Sequence, residues 1–256
     1  MSVLFEIEDH IAIVRLNNPG KKNAITYSMR VEMQTVFQRL QDDINVRAIV
    51  LTGTGDDFCA GADITQPGPA DVPGAIWKIR LLQRMVRSVA TTDKPVIAAV
   101  RGVCIGVGWS LALACDFVIA ATDAHFQFAF RNLGLAPDGG AAFLLTRYVG
   151  LMRAKELLYS GRFVSGLEAQ TLGLALESTL SDEVLKRAKT IAAEFASAPT
   201  LALMMTKRQL DTAPSQSLDQ AFDFEALTQP LMTRTEDHAE GIQAFRERRS
   251  PRFRGI

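Results

Sequence analysis

Apolar and polar residues alternate over Val3–Ile7 and again over Ile11–Leu16, on either side of the polar step Glu8–His10; this alternation predicts a β-hairpin. Asn17–Lys22, with Pro19–Gly20 and two lysines, reads as a turn. The period then lengthens. Thr26 is placed to cap a helix through about Leu40, with Met29, Met33, Val36, Phe37 and Leu40 on one face. Ala48–Thr52, Pro95–Val100 and Asp116–Ala121 are short, unbroken apolar runs, the pattern of strands covered on both faces. Ile76–Ala90 has helical spacing, and Gln66–Gly74 before it, rich in proline and glycine, is expected to be a mobile loop. Leu174–Ser178 is a last strand candidate. Beyond it, Asp182–Ala196, Pro199–Leu210, Leu218–Thr228 and Glu236–Arg248 repeat at helical period. There is no internal repeat and no low-complexity segment. Strands that alternate with helices predict α/β layers.

Composition narrows the function classes. The chain has 256 residues, 48% of them hydrophobic and 22% charged, enough to bury a core without metal or disulfide. Its 28 basic and 28 acidic residues cancel, which argues against a nucleic-acid binder. Cys59, Cys104 and Cys115 cannot all pair and none has CxxC spacing. Together with an N-terminus, Met1–His10, that lacks a basic region followed by an apolar run, this predicts a reducing, cytoplasmic setting. No apolar stretch is long enough to span a bilayer, so no membrane association is expected. His10, His125 and His238 make no pair with metal-ligand spacing, so no metal is expected. The arginine-rich tail Arg246–Arg254 reads as a solvated end, or as a contact to a neighbouring subunit or a phosphate.

Two turns carry the candidate chemistry. Phe58-Cys-Ala-Gly-Ala-Asp63 follows the Ala48–Thr52 strand, and Arg101-Gly-Val-Cys-Ile-Gly-Val-Gly-Trp-Ser110 follows the Pro95–Val100 strand. Small-residue turns of this kind leave backbone N–H groups unpaired at a helix start. Two converging N–H groups can hold the oxyanion that develops on a carbonyl. Either turn alone reads first as close packing of glycines against a sheet. Gly106-Val107-Gly108 is not followed by the rest of a dinucleotide fingerprint, and no GKS or GKT follows either turn.

Taken together, these turns resemble the crotonase (enoyl-CoA hydratase/isomerase) superfamily. The resemblance extends to Asn17-Asn-Pro, Lys22-Asn-Ala24, Lys94-Pro-Val-Ile-Ala-Ala-Val100, Ala114-Cys-Asp116, Leu133-Gly-Leu-Ala-Pro-Asp-Gly-Gly140 and the terminal Glu240–Phe253 segment. It implies an α/β crotonase-like spiral of ββα/βαβ units over 1–195, carrying the active site. It also implies a helical C-terminal region over 196–256 that serves trimerisation and covers the pocket. A homotrimer or dimer of trimers would follow. It further implies an acyl-CoA thioester as substrate, with coenzyme A as the substrate's handle and no separate cofactor. The oxyanion amides would be those of Ala62 and Val107. The family commonly has glycine where Val107 stands. Contacts to the CoA ester would come from Lys21 and Lys22, from the backbone at Ala24, Ala60 and Ala62, and from Asp63, Ile64 and Phe130. Arg249 and Arg252 could approach CoA phosphates from a neighbouring subunit.

The same resemblance locates the proton-transfer groups. Hydratases of this family use two glutamates, and their positions here are Ser110 and Phe130, neither of which can act as a strong base. Asp138 stands where isomerases of 3-enoyl-CoA, ring-epoxide isomerases and an aromatic dehalogenase place a carboxylate. On the residues alone, Asp138 in Pro-Asp-Gly-Gly reads first as a helix N-cap, and it is the family resemblance that puts the catalytic reading ahead. Phe126, Phe128 and Phe130 fit either an apolar wall for that carboxyl or one buried strand face. A 3-enoyl to 2-enoyl-CoA isomerase using Asp138 is the leading expectation. The alternatives are an atypical hydratase, a ring-epoxide-CoA isomerase and a non-catalytic acyl-CoA-binding homologue.

Overall fold

The structure, a computed structural model, describes residues 2–66, 68 and 71–256. β1 (Ser2–Glu8) and β2 (Ile11–Asn17) form the antiparallel hairpin, turned by Asp9 and His10 at positive φ. Thr26 caps α1 (Tyr27–Asp42) by accepting from the Met29 amide. β3 (Ala48–Gly53) follows, buried throughout. α2 (Val72–Ala90) starts ahead of Ile76 because Asp71 caps it, accepting from the Gly74 amide. Of the loop expected over Gln66–Gly74, Pro67, Pro69 and Ala70 lie outside the described residues.

Next come β4 (Val96–Val100), the short β5 (Val103–Ile105), α3 (Val107–Ala114), β6 (Phe117–Ala121) and β7 (His125–Gln127). A 3-10 turn over Phe130–Leu133 leads to α4 (Ala141–Ser160), which is broken at Gly150. β8 (Val164–Ser165), α5 (Gly166–Thr171), β9 (Glu177–Thr179) and α6 (Val184–Ala196) complete the α/β part. α7 (Thr200–Thr212), α8 (Leu218–Met232) and α9 (Glu236–Glu247) follow. The last strand starts three residues later than the expected Leu174–Ser178 and runs one residue past it, because Leu174 and Ala175 are held instead by the carbonyl of Ala169 in α5.

The main sheet has the order β1-β2-β3-β4-β6-β9, parallel after the first pair, and α6 lies against β3, β4 and β6. A second sheet has the order β5-β7-β8. Isolated parallel bridges, Ile25 to Ala62 and Cys59 to Cys104, extend this second layer towards the N-terminus. Successive coils therefore repeat one unit: a long strand in the main sheet, a corner, a short extended stretch in the second layer, then a helix. The sequence shows no repeat because the helices differ in length and the short stretches have no pattern of their own.

The C-terminal tail folds back onto the sheet end. The buried Arg47 guanidinium donates to Thr200 Oγ1 at 2.7 Å, to the Ala198 carbonyl and to the Phe253 carbonyl at 3.2 Å. Asp237 accepts from the Arg254 and Gly255 amides. Arg249 is held by Glu240 and Glu247, each at 2.6 Å, so its charge is already satisfied within this chain.

Candidate active site

Both glycine turns open on the same cleft, and hydrogen bonding explains how. Cys59 exchanges bonds with the second coil: its N–H donates to the Val103 carbonyl, and its carbonyl accepts from the Ile105 N–H, both at 2.9 Å. Carried forward by equal steps, that register sets Ala62 opposite Val107. On the other side, the Ile25 N–H donates to the Gly61 carbonyl and the Ile25 carbonyl accepts from the Asp63 N–H. This parallel pairing spans Ala62 and leaves its own N–H turned away from Ile25, towards the second coil.

There the second coil has left the sheet. Gly106, at φ 55° and ψ −121°, turns the chain into α3, a backbone shape open to glycine and costly for other residues. The Val107 N–H sits in the first turn of α3, where no intrahelical acceptor exists. The bonding resumes with Ser110, whose N–H donates to the Gly106 carbonyl at 3.1 Å. Gly108 seats α3 directly on the first coil: a Cβ there would fall 2.6 Å from the Cys59 carbonyl oxygen.

The cleft holds about 490 Å³ and is lined by Ala24, Ala60, Ala62, Asp63, Ile64, Val107, Phe130 and Asp138 among others. Most residues singled out in the sequence are thus brought together. Lys22 is not among the lining residues; its amine lies 3.9 Å from Asp57 and its side chain is 62% exposed. Lys21 lines the cleft instead, its Nζ 3.0 Å from Asp63 and 2.5 Å from Thr65 Oγ1. The Asp63 carboxyl is held below its ordinary range, first by the Thr65 hydroxyl, with burial opposing and Lys21 assisting. It closes its own turn by accepting from the Thr65 amide at 3.0 Å. A larger groove of about 630 Å³ lies between α7, α8 and α9 and shares no lining residue with the cleft.

Asp138 does not cap α4. The cap position is Gly140, at φ 80°, and no side chain bonds to the helix start. The Asp138 side chain instead lines the cleft, where burial raises its affinity for a proton while the charges of Arg30 and Lys78 oppose that rise. Ser110 is fully buried beneath it, its Oγ 3.5 Å from the Asp138 carbonyl oxygen. Phe130 forms part of the cleft wall, whereas Phe126 and Phe128 are core: the Trp109 ring lies 5.3 Å from Phe126 and 4.4 Å from Phe128. The strand-face reading holds only for Phe126, since β7 ends at Gln127.

Other candidates do other work. Burial pushes the Cys59 thiol up to about 12 and the Cys104 thiol well above its ordinary value, so neither offers a thiolate. His125 meets the Phe163 ring edge-on. Asp116 accepts from the Val96 amide and pairs with Lys207 at 2.8 Å. Among the described residues no cluster of His, Cys, Asp and Glu could hold a metal ion, and no helix is long and apolar enough to cross a membrane. Sequence reading passed over Arg30. Its signal was a charged residue between Met29 and Met33, in step with Phe37 and therefore on the inward side of α1.

Comparison with known proteins agrees with this geometry. The profile described as enoyl-CoA hydratase/isomerase matches residues 6–255. The chain is 35% identical to the 1,2-epoxyphenylacetyl-CoA isomerase of Escherichia coli (strain K12), over 99% of this chain and 98% of that one. It is 34% identical to the crotonyl-CoA hydratase of Syntrophomonas wolfei, over 98% of this chain and 97% of that one. The crystal structure of an enoyl-CoA hydratase from Polaromonas sp. JS666 superposes with a TM-score of 0.94 at 31% identity, covering 99% of this chain and all of that one. A match along nearly the whole chain, on the same α/β spiral, shows that this protein belongs to the enoyl-CoA hydratase/isomerase family of acyl-CoA-processing enzymes.

Proposed function

We propose that the protein isomerises a 3-enoyl-CoA to the conjugated 2-enoyl-CoA, with Asp138 as the proton shuttle. The observation that carries this reading is that Asp138 lines the cleft with Ala62 and Val107, while the other lining carboxyl, Asp63, is tied to Lys21 and Thr65, and Ser110 and Phe130 stand where the family resemblance puts the hydratase glutamates. The Asp138 carboxylate takes a proton from carbon 2. The C–H electron pair forms the 1,2 double bond, and the thioester carbonyl pair moves onto oxygen, between the two N–H groups. The carboxyl then returns its proton to carbon 4. The dienolate electrons re-form the carbonyl and leave a double bond between carbons 2 and 3. One carboxyl suffices, and no water is activated.

Burial suits this role. A carboxyl whose proton affinity is raised is a stronger base, closer to the optimum for transfer near neutral pH. Lys21, Ala24, Ala60 and Asp63 line the entrance and would take the CoA end, and Ile64 would border the acyl path. A second reading, isomerisation of a ring epoxide on a CoA thioester, uses the same carboxyl and is favoured by the likeness to the Escherichia coli epoxyphenylacetyl-CoA isomerase.

The test follows conjugated-thioester absorbance. With a 3-enoyl-CoA the absorbance rises, and Asp138→Asn lowers the rate by about 10²–10⁴-fold while leaving CoA-ester affinity within a few-fold. Formation of a 3-hydroxyacyl-CoA from a 2-enoyl-CoA would mean water addition and would overturn the reading. Turnover of only an epoxyphenylacetyl-CoA would establish the second.

A further inference from the structure

Arg30 is a cation buried in α1, 1% exposed. A desolvated charge is strongly destabilising unless something compensates it. Among the described residues it forms no ion pair. Its Nη1 donates to the Lys78 carbonyl of α2 at 3.1 Å. Its guanidinium carbon lies 4.9 Å from the centre of the Tyr27 ring, and the Lys78 amine lies 5.5 Å from the same centre. Its Nε finds no hydrogen-bond acceptor among the described residues. Two cations thus share one aromatic ring, with one of them out of water.

The compensation lies across the site. One helical turn beyond Lys78, Leu82 packs on the turn that holds Asp138: a Cβ at Gly139 would meet Leu82 Cδ2 at 3.3 Å and Val107 Cγ2 at 3.2 Å. Leu82 of α2 thus packs against the Asp138–Gly139 turn, Lys78 lies one helical turn away on the same side of α2, and Arg30 bonds to the Lys78 carbonyl. Arg30 and Lys78 oppose the rise in the Asp138 proton affinity, while Lys21 and Asp63, which line the same cleft, are paired with each other at 3.0 Å. α3 presents Ser110, and the segment after β7 presents Phe130 and Leu135, none of which ionises.

We propose that Arg30 is a positioning residue that acts through Asp138, supplying the fixed positive charge of the proton-transfer site, with Lys78 as a weaker second. The proposal rests on Asp138 being the base. During the reaction one negative charge leaves Asp138 for the dienolate and returns. A stationary cation attracts that charge at both ends of its path, and it keeps the half-buried carboxyl ionised between turnovers.

Arg30→Met, Arg30→Lys and Lys78→Met are compared with the wild-type enzyme in two ways. One is the pH profile of kcat/KM with a 3-enoyl-CoA. The other is carbon-13 NMR titration of the Asp138 carboxyl without substrate, its resonance assigned by its loss in Asp138→Asn. In Arg30→Met, activity on the acid side falls about ten-fold more than on the plateau, and the carboxyl midpoint moves to higher pH. Arg30→Lys restores both, and Lys78→Met moves both in the same direction by less. An activity loss uniform in pH, with an unmoved carboxyl midpoint, overturns the proposal and makes Arg30 a packing residue. A midpoint that moves while the rate profile stays fixed supports the charge pairing and overturns Asp138 as the base. If Arg30→Met does not fold, Lys78→Met decides, and an unmoved midpoint there overturns the proposal.

Discussion

The two halves of the cleft are built on opposite principles. The amide side, Ala62 and Val107, owes its chemistry to backbone alone: one N–H is turned outward by a parallel pairing and the other stands at a helix start. The carboxyl side depends on the side chain of Asp138 and on the charges that Arg30 and Lys78 place behind it. The first is insensitive to which side chains it carries and intolerant of any shift in the chain. The second keeps its backbone under substitution and loses its function with a single atom. In the proposed mechanism, stabilising an oxyanion and moving a proton would thus be separable, and each could be broken alone.

The sharpest way to break the amide side is Gly108→Val. Its Cβ would fall 2.6 Å from the Cys59 carbonyl oxygen, so α3 must lift off the first coil and carry Val107 with it. Turnover is expected to fall by about 10²–10³-fold, the scale of a lost oxyanion donor, with a lower Tm. Absorbance assay and thermal denaturation check this.

The carboxyl side gives a middle-sized effect of opposite sign on stability. Burial raises the Asp138 pKa above its unfolded value, so folding disfavours the ionised form. That cost is fully present above the folded pKa and disappears as pH falls below the unfolded one. Asp138→Asn should therefore raise stability at neutral pH, with the gain shrinking in acid. Melting curves at several pH values measure it, and a gain independent of pH would contradict the burial argument.

The smallest effect tests the insensitivity of the amide side to side chains. Val107→Ala keeps the N–H and the helical backbone, so kcat should stay within about three-fold of the wild-type value. A larger loss would mean that the valine methyl groups, which pack towards Gly139, help to hold the Asp138 turn.

The sequence was legible where burial imposed a pattern. β3, β4 and β6 are continuous apolar runs because both faces are covered, and α1 shows its period because only one side is buried. β5 and β7 span too few residues to show any period. α3 is buried on every side, so its apolar residues have no helical rhythm, and it was placed only through the resemblance. In the site, the glycine turns were visible as motifs. Arg30 was not, since the Asp138 loop that gives its burial a purpose is distant in sequence. Lys21 and Lys22 could not be told apart either: the left-handed backbone of Lys22, at φ 49°, sends neighbouring lysines to different places.

The Cys59–Cys104 pairing has one more consequence. Ala62 and Val107 each lie three residues beyond a partner in that bridge, so the spacing of hydrogen-bonded strands, about 4.8 Å, sets how far apart the two coils run as they approach the cleft. In the proposed mechanism, the two coils that flank the carbonyl oxygen are thus held apart by backbone hydrogen bonding, and a change of substrate would be accommodated by side chains of the cleft walls rather than by that spacing.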